Sequence, residues 1–447
     1  MGGGTGGGMG NTPGTAFGGA TDPSMLQVTD GFRLIPTIAA AERYDSNVFF
    51  LPKTPGLDRS DYVTTLRPQI RGLFAGSGMK VNAVVGATAE YYVKHTDFNY
   101  VGANAGLSLD LGPMLDRLWQ GMQLTISDSF SYTPQPPAFL IGDQSGSASN
   151  QPGSISNQAG STQNLLLNGM QVGRVNSTGN TFGASLSAPL SQTVSFTGGY
   201  SQGFLRFGTS EVQQVGLLLN TSYQTFNIGI MTKLSPQDTV TLSYLDSSYK
   251  YGQVSGGSFT TRGGSLAWMH MFSPSMTLAS TAGVQVLEGE LVGSSSVSRT
   301  TSSASGPGSS SISSTVVPTG GLGLTWRDQE TTLFLSYALS LTPSYQFDAQ
   351  PLLTNNVAFS VTQVMPNPQF VGLLGVNYAR GDEFGSSSTN SISYSSYGGM
   401  GGVLYKFTPK SFLNLNYQYS KYDSQFGAQG LSLARQVVSL SFTQAFY

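Results

Sequence analysis

The sequence predicts an all-β fold: a transmembrane antiparallel up-and-down β-barrel of about eighteen strands, with short periplasmic turns at one rim and long extracellular loops at the other. Three observations predict it. Apolar and hydroxyl-bearing residues alternate with a period of two in segment after segment, the signature of a strand with one greasy and one polar face. Short and long connections alternate along the chain. Charge is scarce: 10% of the 447 residues are charged, against roughly 25% in soluble domains, while 11% are aromatic.

Taken in order, residues 1 to 30 are rich in Gly, Thr and Pro and read as a flexible tail with no core of its own. The opening Met1 to Gly19 has no basic stretch followed by an apolar core, so the expectation is that any export leader lies outside this chain. Residues 31 to 447 carry the barrel. Its short connections are Gly76-Ser77-Gly78, Ser191-Gln192, Ser235-Pro236-Gln237-Asp238, Ser273-Pro274-Ser275, Asp328-Gln329-Glu330, Pro366-Asn367-Pro368 and Thr408-Pro409-Lys410-Ser411. Between them the strands alternate cleanly. Val240, Leu242 and Tyr244 oppose Thr239, Thr241 and Ser243; Leu333, Leu335, Tyr337, Leu339 and Leu341 oppose Thr332, Ser336 and Ser340; Leu413, Leu415, Tyr417 and Tyr419 oppose Asn414, Asn416, Gln418 and Ser420. In the last segment, Val438, Leu440, Phe442 and Phe446 share one parity, and Val437, Ser439, Ser441 and Thr443 the other. That segment should close the barrel against Phe32 to Tyr44, because a sheet in lipid can leave no unpaired edge. A soluble sandwich shows the same alternation. The short-long rhythm, Tyr and Phe near strand ends, and the near absence of charge on the apolar parity favour lipid.

Two places read poorly. Asp128 falls on the apolar parity of Met122, Leu124, Ile126 and Phe130, and a bulge or register shift is expected there. Ser391 to Phe407, with Gly398, Gly399, Gly401 and Gly402, gives a weak pattern. On the turn side, Met114, Leu115, Leu118 and Trp119 fit one helical turn at the lipid interface. Two long loops stand out. Residues 133 to 179 include Phe139, Leu140, Ile141, Leu165, Leu166 and Leu167, apolar enough to dock inside the lumen as a constriction, with a mobile surface loop as the alternative. Residues 289 to 313 are Ser/Thr-rich and read as solvated.

Chemistry by covalent steps finds little support. There is no Cys, and the net charge of −2 gives no attraction to nucleic acid. His95 and His270 have no recognisable serine and acid partners, no metal or nucleotide motif occurs, and the expectation is a non-enzyme with no cofactor. The informative charges are Arg33, Arg67, Arg71 and Lys80, all on the polar parity of the first three strands. Arg33, Arg71 and Lys80 should approach one another near the turn-side rim as a basic patch that favours anions. Glu90 and Asp110 are the candidate neutralising partners, and with them the charges could simply brace the wall. Tyr92 stands on the lumen parity; the other aromatics read as interface girdle, with no inward aromatic run.

Phe32-Arg33-Leu34-Ile35-Pro36, Tyr44-Asp45-Ser46-Asn47-Val48-Phe49, Asp61-Tyr62-Val63 and Leu66-Arg67-Pro68 resemble the opening hairpin of outer-membrane β-barrel porins found beside exopolysaccharide export systems. Gly169-Met170-Gln171-Val172-Gly173-Arg174 is similar to a second segment of that family. The last strand also resembles the C-terminal signal of bacterial outer-membrane barrels, with Phe446 penultimate. The resemblance implies the outer membrane of a Gram-negative-type bacterium, with its lipid and the barrel-assembly machinery as partners. It implies a pore for a polar solute, with an exported exopolysaccharide as the preferred cargo, and the basic patch adds small anionic solutes. The competing expectation is a plugged structural or adhesive barrel whose loops bind a partner. Oligomeric state is left open.

Overall fold

A computed structural model describes residues 31–49, 52–53, 56–135, 175–208, 220–252, 257–291, 310–343, 351–383, 392–426 and 429–446. Alternating residues become strands because a pleated chain sends successive side chains to opposite faces. Eighteen strands result. They are β1 (Gly31–Asp45), β2 (Asp61–Ala75), β3 (Lys80–Tyr92), β4 (Tyr100–Asp110), β5 (Gln123–Gln135), β6 (Val175–Pro189), β7 (Val194–Phe207), β8 (Thr221–Lys233) and β9 (Asp238–Tyr251), followed by β10 (Ser258–Ser273), β11 (Met276–Leu291), β12 (Ser310–Arg327), β13 (Thr331–Pro343), β14 (Pro351–Val364), β15 (Phe370–Glu383), β16 (Ile392–Thr408), β17 (Ser411–Phe426) and β18 (Gln429–Ala445). Each pairs antiparallel with its sequence neighbours, and β1 pairs with β18 from Thr37↔Ala445 to Asp45↔Val437. The sheet therefore has no edge.

The outer face is apolar. Phe32, Leu34, Ile70, Val85, Leu242, Leu266, Val284, Leu374, Leu415, Leu440 and Phe442 are all exposed on it. Burying so many large apolar groups in hydrocarbon is favourable, whereas exposing them to water is not. Val438, Leu440, Phe442 and Phe446 point outward as the alternation predicts. Aromatic residues bracket the band: Phe32, Trp268, Trp326 and Phe407 toward the turns, and Tyr44, Tyr62, Tyr244, Tyr337 and Tyr378 toward the loops. Beyond the loop-side aromatics the outer face turns ionic, with Arg262 paired to Asp246 and Glu288, Arg380 to Asp382 and Lys421 to Asp423. This continuation past the membrane explains why several strands reach 16 to 18 residues, more than the roughly 9 to 11 that lipid alone requires.

Two expectations are corrected. No bulge occurs at Asp128: its ladders run without interruption, Leu107↔Asp128 on one side and Asp128↔Phe182 on the other. The carboxylate stays on the outer face and accepts a hydrogen bond of 3.2 Å from Asn180 Nδ2, a placement that costs about 2–3 kcal/mol in hydrocarbon. The segment read as weak forms a continuous β16, whose one register shift lies at Lys406/Thr408. The helical turn at Gly112–Leu115 is present, with Trp119 exposed beside it. Part of each long loop is strand: β5 runs to Gln135 and β6 begins at Val175, while β11 runs to Leu291 and β12 begins at Ser310. Phe139, Leu140, Ile141, Leu165, Leu166 and Leu167, the segment Gly169 to Arg174 and the tail 1–30 lie outside the described residues.

Candidate functional site

The inward parity lines the lumen. Toward the turns it carries small hydroxyl and amide side chains, among them Asn82, Asn104, Thr197, Asn227, Ser243 and Ser265. On β1 and β2 the register sets Arg33 opposite Leu73 and Arg71 opposite Ile35, so guanidinium and aliphatic groups alternate around the buried cluster Ile35, Leu73 and Ala445. Arg67 lies higher on the same wall, opposite Ala39. Lys80 is exposed at the rim opposite Ala75, four residues below Val84, the partner of Arg71. Arg33 and Arg71 are thus diagonal neighbours across the β1–β2 ladder, with Lys80 nearer the rim on β3. Among the described residues no carboxylate forms an ion pair with Arg71 or Lys80.

The proposed neutralising partners are engaged elsewhere. Glu90 receives two parallel bonds of 2.8 Å from Arg43, a residue the sequence reading passed over, and a third of 2.8 Å from the Tyr92 hydroxyl. Tyr92 itself accepts from Arg43 at 3.1 Å. Arg67 also feels the Glu90 charge. Asp110 faces Lys80 across the ladder, but its Oδ1 accepts from the Gly112 amide at 2.8 Å. Sequence reasoning also missed that Lys233, Arg327 and Lys406 fall on the inward parity at the turn ends of β8, β12 and β16, all exposed. With Arg33 and Lys80 they distribute cations around the turn-side mouth. Counting inward charge strand by strand would have found them.

The motif Tyr44 to Phe49 closes the barrel. Asp45, at the end of β1, is bound by Arg435 of β18 with Nε–Oδ1 at 3.0 Å. Ser46 exchanges two bonds with the Gln436 backbone, and Asn47 Nδ2 donates to the Ala434 carbonyl at 3.2 Å. Val48 packs with Val63 and Tyr92, and Phe49 meets His95 and Phe98 edge to face. Asp61 is equally committed, accepting from the Tyr62, Lys94 and His95 amides and meeting His95 Nδ1 at 2.9 Å. In the loop outside the strands, the hydrogen bond from Lys94 holds the Asp58 carboxyl well below the usual carboxylate range.

The loop-side half of the lumen is aromatic, which corrects the expectation that no inward run exists. Tyr223, Tyr249, Tyr251 and Phe259 follow one another across β8 to β10, with Tyr249 stacked on Phe259 at 4.6 Å. Tyr394 stacks on Tyr422 at 5.8 Å on β16 and β17. These rings are buried in two clusters, one with Leu287, Val317 and Leu341 and the other with Leu352 and Leu433, and Tyr422 has no exposed surface (0%). Their positions near strand ends had made them look like girdle. Parity places them inside.

Among the described residues no helix is long and apolar enough to cross a membrane, and no group of three or more His, Asp or Glu could hold a metal. No family model matches this chain, and no curated protein matches it. Solved structures similar to it include OccK2 (OpdF) of Pseudomonas aeruginosa, with a TM-score of 0.45 at 10% identity over 93% of this chain and 100% of that one. OpdK of the same organism, crystallised with vanillate, gives 0.45 at 10% identity over 92% and 99%. The ferric-catecholate import receptor Fiu of E. coli K12 gives 0.42 at 9% identity over 92% and 81%. The chain's own geometry is that of a closed eighteen-stranded antiparallel barrel with an apolar outer band between aromatic rings, the architecture of a Gram-negative-type outer-membrane β-barrel.

Proposed function

We propose that this chain is an outer-membrane pore for small polar and anionic solutes, selecting by the charge and width of its inner wall with no covalent step. The observation that carries the reading is the unequal distribution of charge inside the lumen. Arg33, Arg71, Lys80, Lys233, Arg327 and Lys406 occupy the turn-side half of the inward face, where Asp110 is the inward carboxylate among the described residues. Cations on a wall with limited access to bulk water raise local anion concentration, and the open hydroxyl and amide groups replace part of a solute's hydration. Export of an exopolysaccharide is the more specific reading. It draws on the resemblance of Tyr44 to Phe49 and Asp61 to Val63, residues occupied with seam and loop contacts, so small solutes are the preferred cargo.

One observation favours a second reading, a plugged barrel whose loops bind a partner: the inward aromatics of β8 to β10, β16 and β17 are buried. Purified chain in a planar bilayer separates the two. A stable conductance with a reversal potential toward anions, reduced by an acidic sugar such as glucuronate, supports the pore. A folded barrel that never conducts supports the plugged alternative.

A further inference from the structure

Two carboxylates among the described residues lie on the outer face between the two aromatic levels: Glu42, just below Tyr44, which accepts from the Thr64 hydroxyl at 2.7 Å, and Asp128. On β5 Asp128 stands below Tyr132 and above the turn that carries Trp119, with Leu107, Ile126, Phe130 and Phe182 on the same face. The paired outer charges on β9 to β11, β15 and β17 lie near the loop ends, each facing an opposite charge. Asp128 instead has a neutral partner, Asn180 of β6, whose Nδ2 lies 3.2 Å from one carboxylate oxygen and 3.4 Å from the other. One amide hydrogen serves both contacts, so a second N–H of Asn180 and most of the carboxylate's acceptor sites remain to be used. Lipid tails offer nothing to them, and polar groups within a membrane span ordinarily face protein or water.

We propose that the outer face of β5 and β6 is a contact between two copies of this chain, in which Asn180 of each copy donates its second amide hydrogen to Asp128 of the other. The pair is self-complementary: donor and acceptor sit side by side on one patch, as a two-fold contact requires. The surrounding relief suits close approach. Ala103 and Ala105 of β4, Ala184 and Ala188 of β6 and Gly198 of β7 share the outward parity, and small residues let membrane-embedded backbones come together. A contact here leaves the lumen and its charges untouched, so it stands independently of the pore reading.

The chain has no Cys, so single-cysteine variants report proximity cleanly. Ala184→Cys on β6 sits beside the patch, and Ala282→Cys on β11 is an exposed outward control five strands away. Under mild oxidation in membranes, Ala184→Cys should give a species of twice the chain mass, with roughly tenfold more of it than Ala282→Cys, and adding Asp128→Leu should lower that yield to the control level. Sedimentation in detergent should give two barrels per particle for the unaltered chain and one for Asp128→Leu. Folding is read by heat-modifiable gel mobility, and Asn180→Ala replaces Asp128→Leu should the latter not fold. Equal cross-linking at Ala184→Cys and Ala282→Cys, a single barrel for the unaltered chain, or cross-linking to a protein of another mass overturns the proposal.

Discussion

Arg43 reaches across β2 and grips Glu90 of β3 through two bonds of 2.8 Å, although the residues are 47 positions apart in sequence. Glu90 is buried and Arg43 mostly so. Glu90→Gln leaves the guanidinium with a neutral partner and should cost about 2–4 kcal/mol in urea unfolding. The double variant Arg43→Gln with Glu90→Gln should lose less than the sum of the singles, because the coupling is then removed as a pair. Additive losses would show that the two act separately.

Replacing Arg33, Arg71 and Lys80 together with Gln should reduce the anion preference of the conductance severalfold, with folding unchanged. Reversal potentials under a salt gradient measure it. An unchanged preference assigns selectivity to Lys233, Arg327 and Lys406 or to the loops.

Arg435→Leu removes the guanidinium that holds the buried Asp45. Loss of one member of a buried pair typically costs about 3–5 kcal/mol, and replacing both by Leu should cost clearly less. Denaturant midpoints of the three variants check this, and a single variant no worse than the double would contradict it.

Gly381 of β15 lies under the ring of Tyr394 on β16: a methyl added there would run into the ring edge. Gly381→Ala should therefore push the Tyr394–Tyr422 stack toward the lumen axis and cost about 1–3 kcal/mol. Pairing it with Tyr394→Ala should recover part of that loss. Equal stability of Gly381→Ala and the unaltered chain would mean that the stack yields freely.

Asp58 and Lys94 form an exposed loop pair at 2.7 Å, and their bond lowers the carboxyl's pKa and raises the amine's. A lowered carboxyl contributes above its unfolded value and loses that contribution as pH falls through its folded value; a raised amine contributes below its unfolded value and loses it as pH rises through its folded value. The bridge should then be constant from roughly pH 5 to 9. A carboxyl NMR titration should show no inflection for Asp58 at the ordinary carboxylate value of about 3.9, and one there would contradict the pairing.

Strand identity was legible because lipid on one side and a polar lumen on the other impose an alternation that neither Leu415 nor Asn416 can violate cheaply. Turns with Pro, Gly and Ser marked the short rim for the same local reason. The Arg43–Glu90 pair was not legible. Glu42 beside Arg43 suggests mutual neutralisation, yet strand parity sends them to opposite faces, and only the combined register of β1, β2 and β3 brings Glu90 within reach. Asp128 misled the reading in another way. A rule that charge avoids lipid predicted a distorted backbone, whereas the ladder is intact and the side chain finds Asn180. The buried tyrosines show the limit of position along a strand as a guide, since Tyr249 and Tyr244 lie five residues apart on β9 and face opposite ways.

Asp45 and Arg435 stand 390 positions apart, yet they meet at the first-to-last seam. No other pair of strands makes that join, so until β18 lies against β1 the sheet keeps two raw hydrogen-bonding margins. A chain in which that seam has not formed lacks the ionic latch as well.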